Sequence, residues 1–221
     1  LDPQHFLQLA VGQERFYWRN ADSSLVLAGF GAAAELIAWG KARFRAIERQ
    51  ARRLFSQASI SSPAPAAIPR LFGGFAFRDD FVPDHTWAAF HPAHFILPHL
   101  QLTQTGSDSW LTINTVLPFG EDLSGILSEM KLALEARATW LMTEQVDSSA
   151  LMPVCPPPVD LHYPMSSEAW QVMINDAVSQ MQAGEFRKVV LARASEIACG
   201  GTIQVGQALQ FLDVHYPGCY R

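Results

Sequence analysis

A run of prolines is the feature that most limits how this chain can fold. Proline lacks a backbone N–H and fixes φ, so the segment Met152-Pro153-Val154-Cys155-Pro156-Pro157-Pro158 can form neither a helix nor a central strand. We expect the chain to continue in an extended form to His162-Tyr163-Pro164. The sequence therefore divides into an N-terminal region, residues 1–150, a proline-rich linker, residues 151–164, and the start of a second unit, residues 165–221.

Hydrophobic periodicity predicts both strands and helices in the N-terminal region. The strand-like runs Phe16–Arg19 and Leu25–Phe30 flank a turn, and the runs Phe95–Thr105 and Ser109–Leu117 flank Gly106-Ser107-Asp108, as in two antiparallel hairpins. The other expected elements are a helix over residues 32–56, a short strand over residues 71–77 and a helix over residues 121–142.

Composition sets the broad class of the protein. With 49% hydrophobic and 17% charged residues, the chain is too apolar to be disordered, and its net charge of −5 argues against a nucleic-acid partner. A basic cluster at residues 41–53 has apolar neighbours at helical spacing, which predicts the solvated face of an amphipathic helix. The cluster comprises Lys41, Arg43, Arg45, Arg49, Arg52 and Arg53.

No pattern in the sequence predicts export or membrane insertion. Residues 1–12 lack a basic stretch followed by an apolar run, and the apolar segment Ser24–Trp39 is interrupted by Gly29, Gly31 and Glu35. The cysteines, at positions 155, 199 and 219, form no Cys-x-x-Cys pair. We therefore expect a cytoplasmic protein without a disulfide framework or zinc site.

The second unit has the clearest periodic pattern. Ser166 or Ser167 can cap a helix that ends near Gly184. One face of this helix carries an apolar stripe formed by Trp170, Met173, Ile174, Ala177, Val178 and Met181. The β-branched pair Val189-Val190 then favours a strand over Phe186–Ala198.

Lys188 is the candidate functional residue of this strand. Alternation places Lys188 and Val190 on one face and Val189 and Leu191 on the other. We expect the preceding helix to cover the face with Val189 and Leu191, so that Lys188 points away from it. The spacing alone favours a structural interpretation of Lys188, as an edge-strand lysine or as one whose ammonium group reaches water.

Other polar groups give weaker signals. The histidines of residues 85–99 are separated by prolines and lack the i, i+4 spacing of a metal site, so we expect structural or surface roles for His85, His91, His94 and His99. Gly73-Gly74 lies in a strand-like run and indicates close backbone packing rather than a phosphate loop. Ser195 lacks the Gly-x-Ser-x-Gly setting of a hydrolase nucleophile.

Four segments resemble one known family. Lys188-Val-Val-Leu-Ala-Arg193, preceded by the amphipathic helix and Gly184-Glu185-Phe186, is similar to the opening of the chorismate-binding domain of isochorismate, salicylate, anthranilate and aminodeoxychorismate synthases. Tyr216-Pro217-Gly218-Cys219-Tyr220 resembles the family's Asn-Pro-x-Cys-Tyr strand, with Tyr216 in place of Asn. Phe16-Tyr17-Trp18 and Phe72–Phe77 resemble the N-terminal part of isochorismate synthases, above all the menaquinone-specific type.

The resemblance implies an activity for the whole enzyme. In this family chorismate and Mg²⁺ bind in a cleft, water attacks ring carbon 2, and the hydroxyl at carbon 4 leaves. A lysine at the position of Lys188 is the general base of the water-adding members, whereas anthranilate synthases carry glutamine there. A lysine with an ordinary pKa of about 10.4 is almost fully protonated near neutral pH, so such a base must be desolvated or lie near another positive charge.

These implications set our expectations. The fold is α+β, with layered antiparallel sheets and outer helices, and the activity is Mg²⁺-dependent conversion of chorismate to isochorismate for menaquinone or siderophore synthesis. The family's general acid, Mg²⁺ ligands and substrate-carboxylate arginine correspond to positions beyond Arg221, so we expect residues 1–221 alone to be inactive. A salicylate synthase and a non-catalytic binding module of the same fold are the alternatives.

Overall fold

The computed structural model describes residues 1–10, 12–61, 64–83, 87–117, 123–143, 158–201 and 205–221. The chain forms two compact units: residues 1–147 with 209–221, and residues 148–208. Residues 151–157 of the predicted linker lie outside the described residues, whereas Pro158–His162 is an extended strand, as expected of the end of the linker.

Two antiparallel sheets organise the first unit. The four-stranded sheet has the order β1-β2-β6-β7, and the three-stranded sheet has the order β3-β5-β4. The strands are Arg15–Arg19 (β1), Leu25–Phe30 (β2), Ala34–Ala38 (β3), Phe72–Phe75 (β4), Ala93–Leu97 (β5), Leu100–Thr105 (β6) and Asp108–Ile113 (β7). Both predicted hairpins are confirmed, as β1 pairs with β2 and β6 pairs with β7 around Gly106-Ser107.

Helices cover these sheets and close two hydrophobic cores. Helices α1 (Pro3–Gln8) and α3 (Leu123–Thr143) pack on the four-stranded sheet, and α2 (Arg43–Ser56) packs on the three-stranded sheet. The first core contains Phe6, Leu7, Ala10, Ala28, Phe30, Leu100, Leu102 and Leu141. The second contains Leu36, Ala38, Ile47 and Ala93. The helix predicted over residues 121–142 is confirmed from Leu123 onward, since residues 121–122 lie outside the described residues.

The helix predicted over residues 32–56 is wrong in its first half. Residues Ala34–Ala38 form strand β3, which pairs with β5, and the helix begins only at Arg43. Gly40, with φ of +70°, separates the two elements. Leu36 and Ala38 are buried against Ala93 from a distant part of the chain, so a tertiary contact overrides the local helical spacing.

The strand predicted over Phe95–Thr105 is interrupted. It divides at Pro98-His99 into β5, which belongs to the three-stranded sheet, and β6, which belongs to the four-stranded sheet. Proline lacks the N–H that a continuous ladder would need, so the break at Pro98 has a direct cause.

The basic cluster on α2 is solvated with one exception. Arg43 is only 3% exposed, although its five basic neighbours are exposed. Its guanidinium donates to the carbonyl oxygens of Gly40, Ala76 and Phe77, at 3.2, 2.8 and 3.2 Å. The prediction of a fully solvated face is therefore wrong at Arg43, which ties the chain after β4 to the start of α2.

The second unit is smaller. Strand β8 (Pro158–His162) pairs antiparallel with β9 (Glu196–Cys199), and helix α4 (Ser167–Gln182) lies between them in sequence. A last helix, α5 (Val205–His215), begins in the second unit and continues from residue 209 in the first. The predicted α+β class with antiparallel sheets and helices is confirmed. No helix among the described residues is long and apolar enough to cross a membrane.

Adjacent glycines of β4 have different surroundings. A Cβ on Gly73 would collide with the carbonyl oxygen of His94 and would lie 2.6 Å from the Cα of Phe95, whereas a Cβ on Gly74 would meet nothing within 4 Å. The close backbone packing expected at this pair is therefore confirmed at Gly73.

We expect Gly73→Ala to lower the free energy of unfolding by about 1–3 kcal/mol, because backbone atoms cannot move aside as a side chain can. Gly74→Ala is the matched control and should change it by less than about 0.5 kcal/mol. Urea unfolding of the 221-residue chain, followed by circular dichroism, measures both values. Equal midpoints for the two variants would contradict the close approach at Gly73.

Candidate active site

Helix α4 brings the chain to the segment that carries Lys188. The Ser166 hydroxyl accepts a hydrogen bond from the Ala169 N–H at 3.2 Å, which caps the helix as predicted. Hydrogen bonds from its own backbone N–H and from the Ser166 side chain lower the pKa of Glu168 in the first turn. The predicted stripe is the less exposed side of this helix, and Ala177 is buried within it.

The end of α4 is fixed by a Schellman motif. Gly184 has φ of +82°, and its N–H donates to the Met181 carbonyl at 3.1 Å. The N–H of Glu185 donates to the Gln180 carbonyl, also at 3.1 Å. These two bonds satisfy carbonyl groups of the last turn and set the direction in which the chain leaves the helix.

The strand predicted over Phe186–Ala198 is wrong for most of its length. Only Glu196–Cys199 forms a strand, and residues 186–195 form no regular element. A strand exists only through hydrogen bonds to a neighbour, and no hydrogen bond joins residues 186–195 to another described residue. The predicted register of Lys188 relative to the α4 stripe therefore has no counterpart in this structure.

Lys188 lies in the middle of this irregular segment. Its side chain is exposed and forms no hydrogen bond or ion pair with the described residues. Val190, on the face predicted for Lys188, is itself 79% exposed, and Val189 is 40% exposed. The described residues thus leave Lys188 in water, whereas a lysine that acts as a base is favoured by desolvation.

A contact that sequence reasoning missed holds the segment near its end. The guanidinium carbon of Arg193 lies 4.3 Å from the ring centre of Tyr163 and 5.9 Å from that of Trp170. Both distances are within the range of cation–π attraction. The sequence shows only that an arginine and aromatic residues lie in the same small unit. Periodicity does not reveal which of these side chains are in contact.

The described residues do not supply a magnesium site. Among them, no group of three or more His, Cys, Asp or Glu side chains could hold a metal ion. Instead, His94 Nε2 lies 3.4 Å from a Glu35 carboxylate oxygen, His91 stacks edge-on against Trp39, and His99 Nδ1 lies 2.8 Å from the Asn114 carbonyl oxygen. His85 lies outside the described residues.

The second segment of family resemblance is not a strand either. Residues 216–220 form a turn around Gly218, whose φ is +83°. Backbone hydrogen bonds to the edge strand β1 are formed by Arg221, which exchanges two with Arg19, at 2.8 and 3.0 Å. The strand expected at residues 216–220 is therefore wrong, because a proline and a glycine with positive φ favour a turn there.

An ion network supports this contact. Asp213 Oδ1 accepts from Arg19 Nη1 at 2.9 Å and lies 3.1 Å from Nε of Arg221, whose side chain is only 3% exposed. Burial, together with the Asp213 charge, raises the pKa of the nearby Tyr17 hydroxyl. Asp213 is thus the shared counter-ion of two arginines.

Comparison with known proteins places the chain in a family. All 221 residues match the family described as chorismate binding enzyme. The chain belongs to this family.

Two curated relatives align with most of the chain. The chain is 27% identical over 224 residues to the isochorismate synthase MenF of Bacillus subtilis, covering 96% of this chain and 45% of that protein. It is 26% identical over 208 residues to the salicylate biosynthesis isochorismate synthase of Pseudomonas aeruginosa, covering 90% of this chain and 40% of that protein. The chain therefore spans less than half the length of these curated relatives.

A solved structure shares the fold. The menaquinone-specific isochorismate synthase MenF of Escherichia coli superposes with a TM-score of 0.59 at 16% identity, covering 100% of this chain and 43% of that one. At this identity the likeness concerns the fold alone. It agrees with the α+β arrangement of antiparallel sheets and helices.

We expect Asp213→Asn to lower the free energy of unfolding by about 1–3 kcal/mol, because it leaves the buried Arg221 guanidinium without a counter-ion. Asp80→Asn is the matched control, since Asp80 pairs with Arg78 at the surface, where the two side chains are 61% and 73% exposed. The control should leave the urea midpoint unchanged. An unchanged midpoint for Asp213→Asn as well would show that the network does not stabilise the fold.

Proposed function

We propose that this chain is the N-terminal part of an isochorismate synthase and that Lys188 is the base that activates the attacking water. The observation that carries the proposal is the match of all 221 residues to the chorismate-binding enzyme family. Two curated relatives that align with most of the chain are both isochorismate synthases by name. The lysine of the family's water-adding members has its counterpart in Lys188, within Lys-Val-Val-Leu-Ala-Arg.

The proposed role of Lys188 follows from the chemistry of the reaction, in which a hydroxyl is added at ring carbon 2 and another is lost from carbon 4. Water forms a bond from its oxygen to ring carbon 2 and gives a proton to the neutral amine of Lys188. The ring double bonds shift, the bond from carbon 4 to its hydroxyl breaks, and an acid protonates the departing hydroxyl. The product is an isomer of the substrate, so no oxidant or co-substrate is consumed.

Lys188 requires an environment that the described residues do not provide. A neutral amine is favoured where the ammonium form is desolvated or repelled by a nearby cation. Because Lys188 is exposed in this chain, we propose that further residues of a complete synthase cover it. The same residues would hold Mg²⁺, the acid and the substrate carboxylate, and we assign none of these roles within residues 1–221.

We expect Lys188→Ala, in a complete synthase that contains this chain, to lower kcat by about 10²–10⁴, the usual contribution of a positioned general base. Lys41→Ala, which also removes an exposed lysine, should leave kcat unchanged. Chromatography of the products distinguishes isochorismate from salicylate and pyruvate, and so separates the two enzyme types. Normal turnover by Lys188→Ala would remove Lys188 from the mechanism.

We expect residues 1–221 alone not to bind chorismate measurably, so that titration gives no saturable heat change, and to form no isochorismate. A lone base cannot clamp the substrate or stabilise the leaving group, and these contributions are the larger share of catalysis. Isothermal titration of the purified chain with chorismate, in the presence and absence of Mg²⁺, tests this. Micromolar binding would contradict the proposal that the site is incomplete and would favour a binding module.

A further inference from the structure

The contact of Arg193 with two aromatic rings suggests a role for this arginine. Its side chain is partly buried, whereas its neighbours Ala192 and Ala194 are exposed. The guanidinium lies nearest the face of Tyr163, which follows β8, and also reaches Trp170 in the first turns of α4. Arg193 therefore links three parts of the second unit that are separate in sequence.

The segment between α4 and β9 has few other attachments. Its start is set by the hydrogen bond from Glu185 to Gln180, and its end by the pairing of Glu196 with His162. Between these points, residues 186–195 form no hydrogen bond or ion pair with described residues, so the cation–π contact is their one specific polar attachment within the described chain. Lys188 lies between the first fixed point and this contact.

We propose that Arg193 is a positioning residue that holds the Lys188 segment against Tyr163 and Trp170. This inference rests on the proposed function, because it assigns to Arg193 the placement of the proposed base. An arginine suits the task because its planar guanidinium lies flat on an aromatic ring, whereas the ammonium group of a lysine is a compact and strongly hydrated charge. Without the contact, the segment has ten residues whose conformation is fixed only at the two ends.

Proteolysis of the 221-residue chain measures the attachment without any assay of activity. The lysines of the chain are Lys41, Lys131 and Lys188, so a protease that cleaves only after lysine reports separately on the Lys188 segment. Cleavage under native conditions follows the fraction of time that a segment is open. We expect Arg193→Gln to speed cleavage after Lys188 by about threefold to tenfold, the effect of losing one cation–π contact.

Matched variants make this result specific. Tyr163→Leu removes the ring face and should speed cleavage after Lys188 as Arg193→Gln does, whereas Tyr163→Phe keeps the face and should leave the rate within about twofold of the original. Cleavage after Lys41 should be the same in all variants, which excludes unfolding of the first unit. Equal cleavage after Lys188 in the original chain and in Arg193→Gln would overturn the attachment.

Kinetics of a complete synthase then test whether the attachment positions the base. We expect Arg193→Gln to lower kcat by about 10-fold to 100-fold with little change in the KM for chorismate, since misplacing a catalytic group costs turnover rather than ground-state binding. The double variant Lys188→Ala/Arg193→Gln should be no slower than Lys188→Ala, because residues that act as one unit are not additive. The control Arg187→Gln removes an exposed charge beside Lys188 and should leave kcat unchanged.

The possible outcomes separate the two proposals. If Lys188→Ala lowers kcat as expected and the two losses multiply in the double variant, Lys188 remains the base and the positioning role of Arg193 is overturned. A raised KM with unchanged kcat in Arg193→Gln would also overturn it, because it would indicate direct substrate binding. Normal turnover by Lys188→Ala would overturn the assigned base, and the positioning role with it.

Discussion

The first unit depends on one corner, at Pro98-His99, through which both of its sheets pass. The chain passes from the four-stranded to the three-stranded sheet at Gly31, between β2 and β3. It passes back at Pro98-His99, between their partners β5 and β6. Backbone hydrogen bonds join the two crossings, from the Ala33 N–H to the Leu97 carbonyl at 2.8 Å and from the His99 N–H to the Gly31 carbonyl at 3.3 Å. The β2–β6 and β3–β5 pairings are therefore one antiparallel run that is bent at this corner, and each sheet adds further strands on its own side of the bend.

Side chains make this bend specific. Asn114 is buried and donates to the Pro98 carbonyl oxygen at 2.8 Å, so a polar group that the bend takes out of the ladder is satisfied. A Cβ on Gly29 would lie 2.7 Å from the Pro98 ring, and Gly31 has φ of +66°. The corner thus requires a proline, an asparagine and two glycines from distant parts of the sequence, and no local pattern contains all of them.

This explains which features the sequence could predict. Hairpins and capped helices depend on neighbours in the chain, and the β1–β2 pair, the β6–β7 pair and helix α4 were predicted correctly. Strand β3 depends on Ala93–Leu97, and the segment 186–195 lacks a strand partner among the described residues, so local periodicity gave a helix and a strand that do not form there. Two of the carbonyl groups that bind Arg43, those of Ala76 and Phe77, and the rings that Arg193 contacts are likewise remote in sequence, which is why neither attachment could be predicted.

The same reasoning separates the fold of this chain from its proposed chemistry. The first unit closes two hydrophobic cores, whereas Ala177 is the one buried hydrophobic residue among residues 158–201. Apolar side chains of that unit remain exposed, with Val159 at 71%, Val190 at 79% and Ile197 at 59%. Apolar contacts over Val190 would remove exposed apolar surface and desolvate the nearby Lys188 together, because both effects come from low-dielectric surroundings. The proposed base of this chain thus lies beside apolar side chains that are themselves exposed.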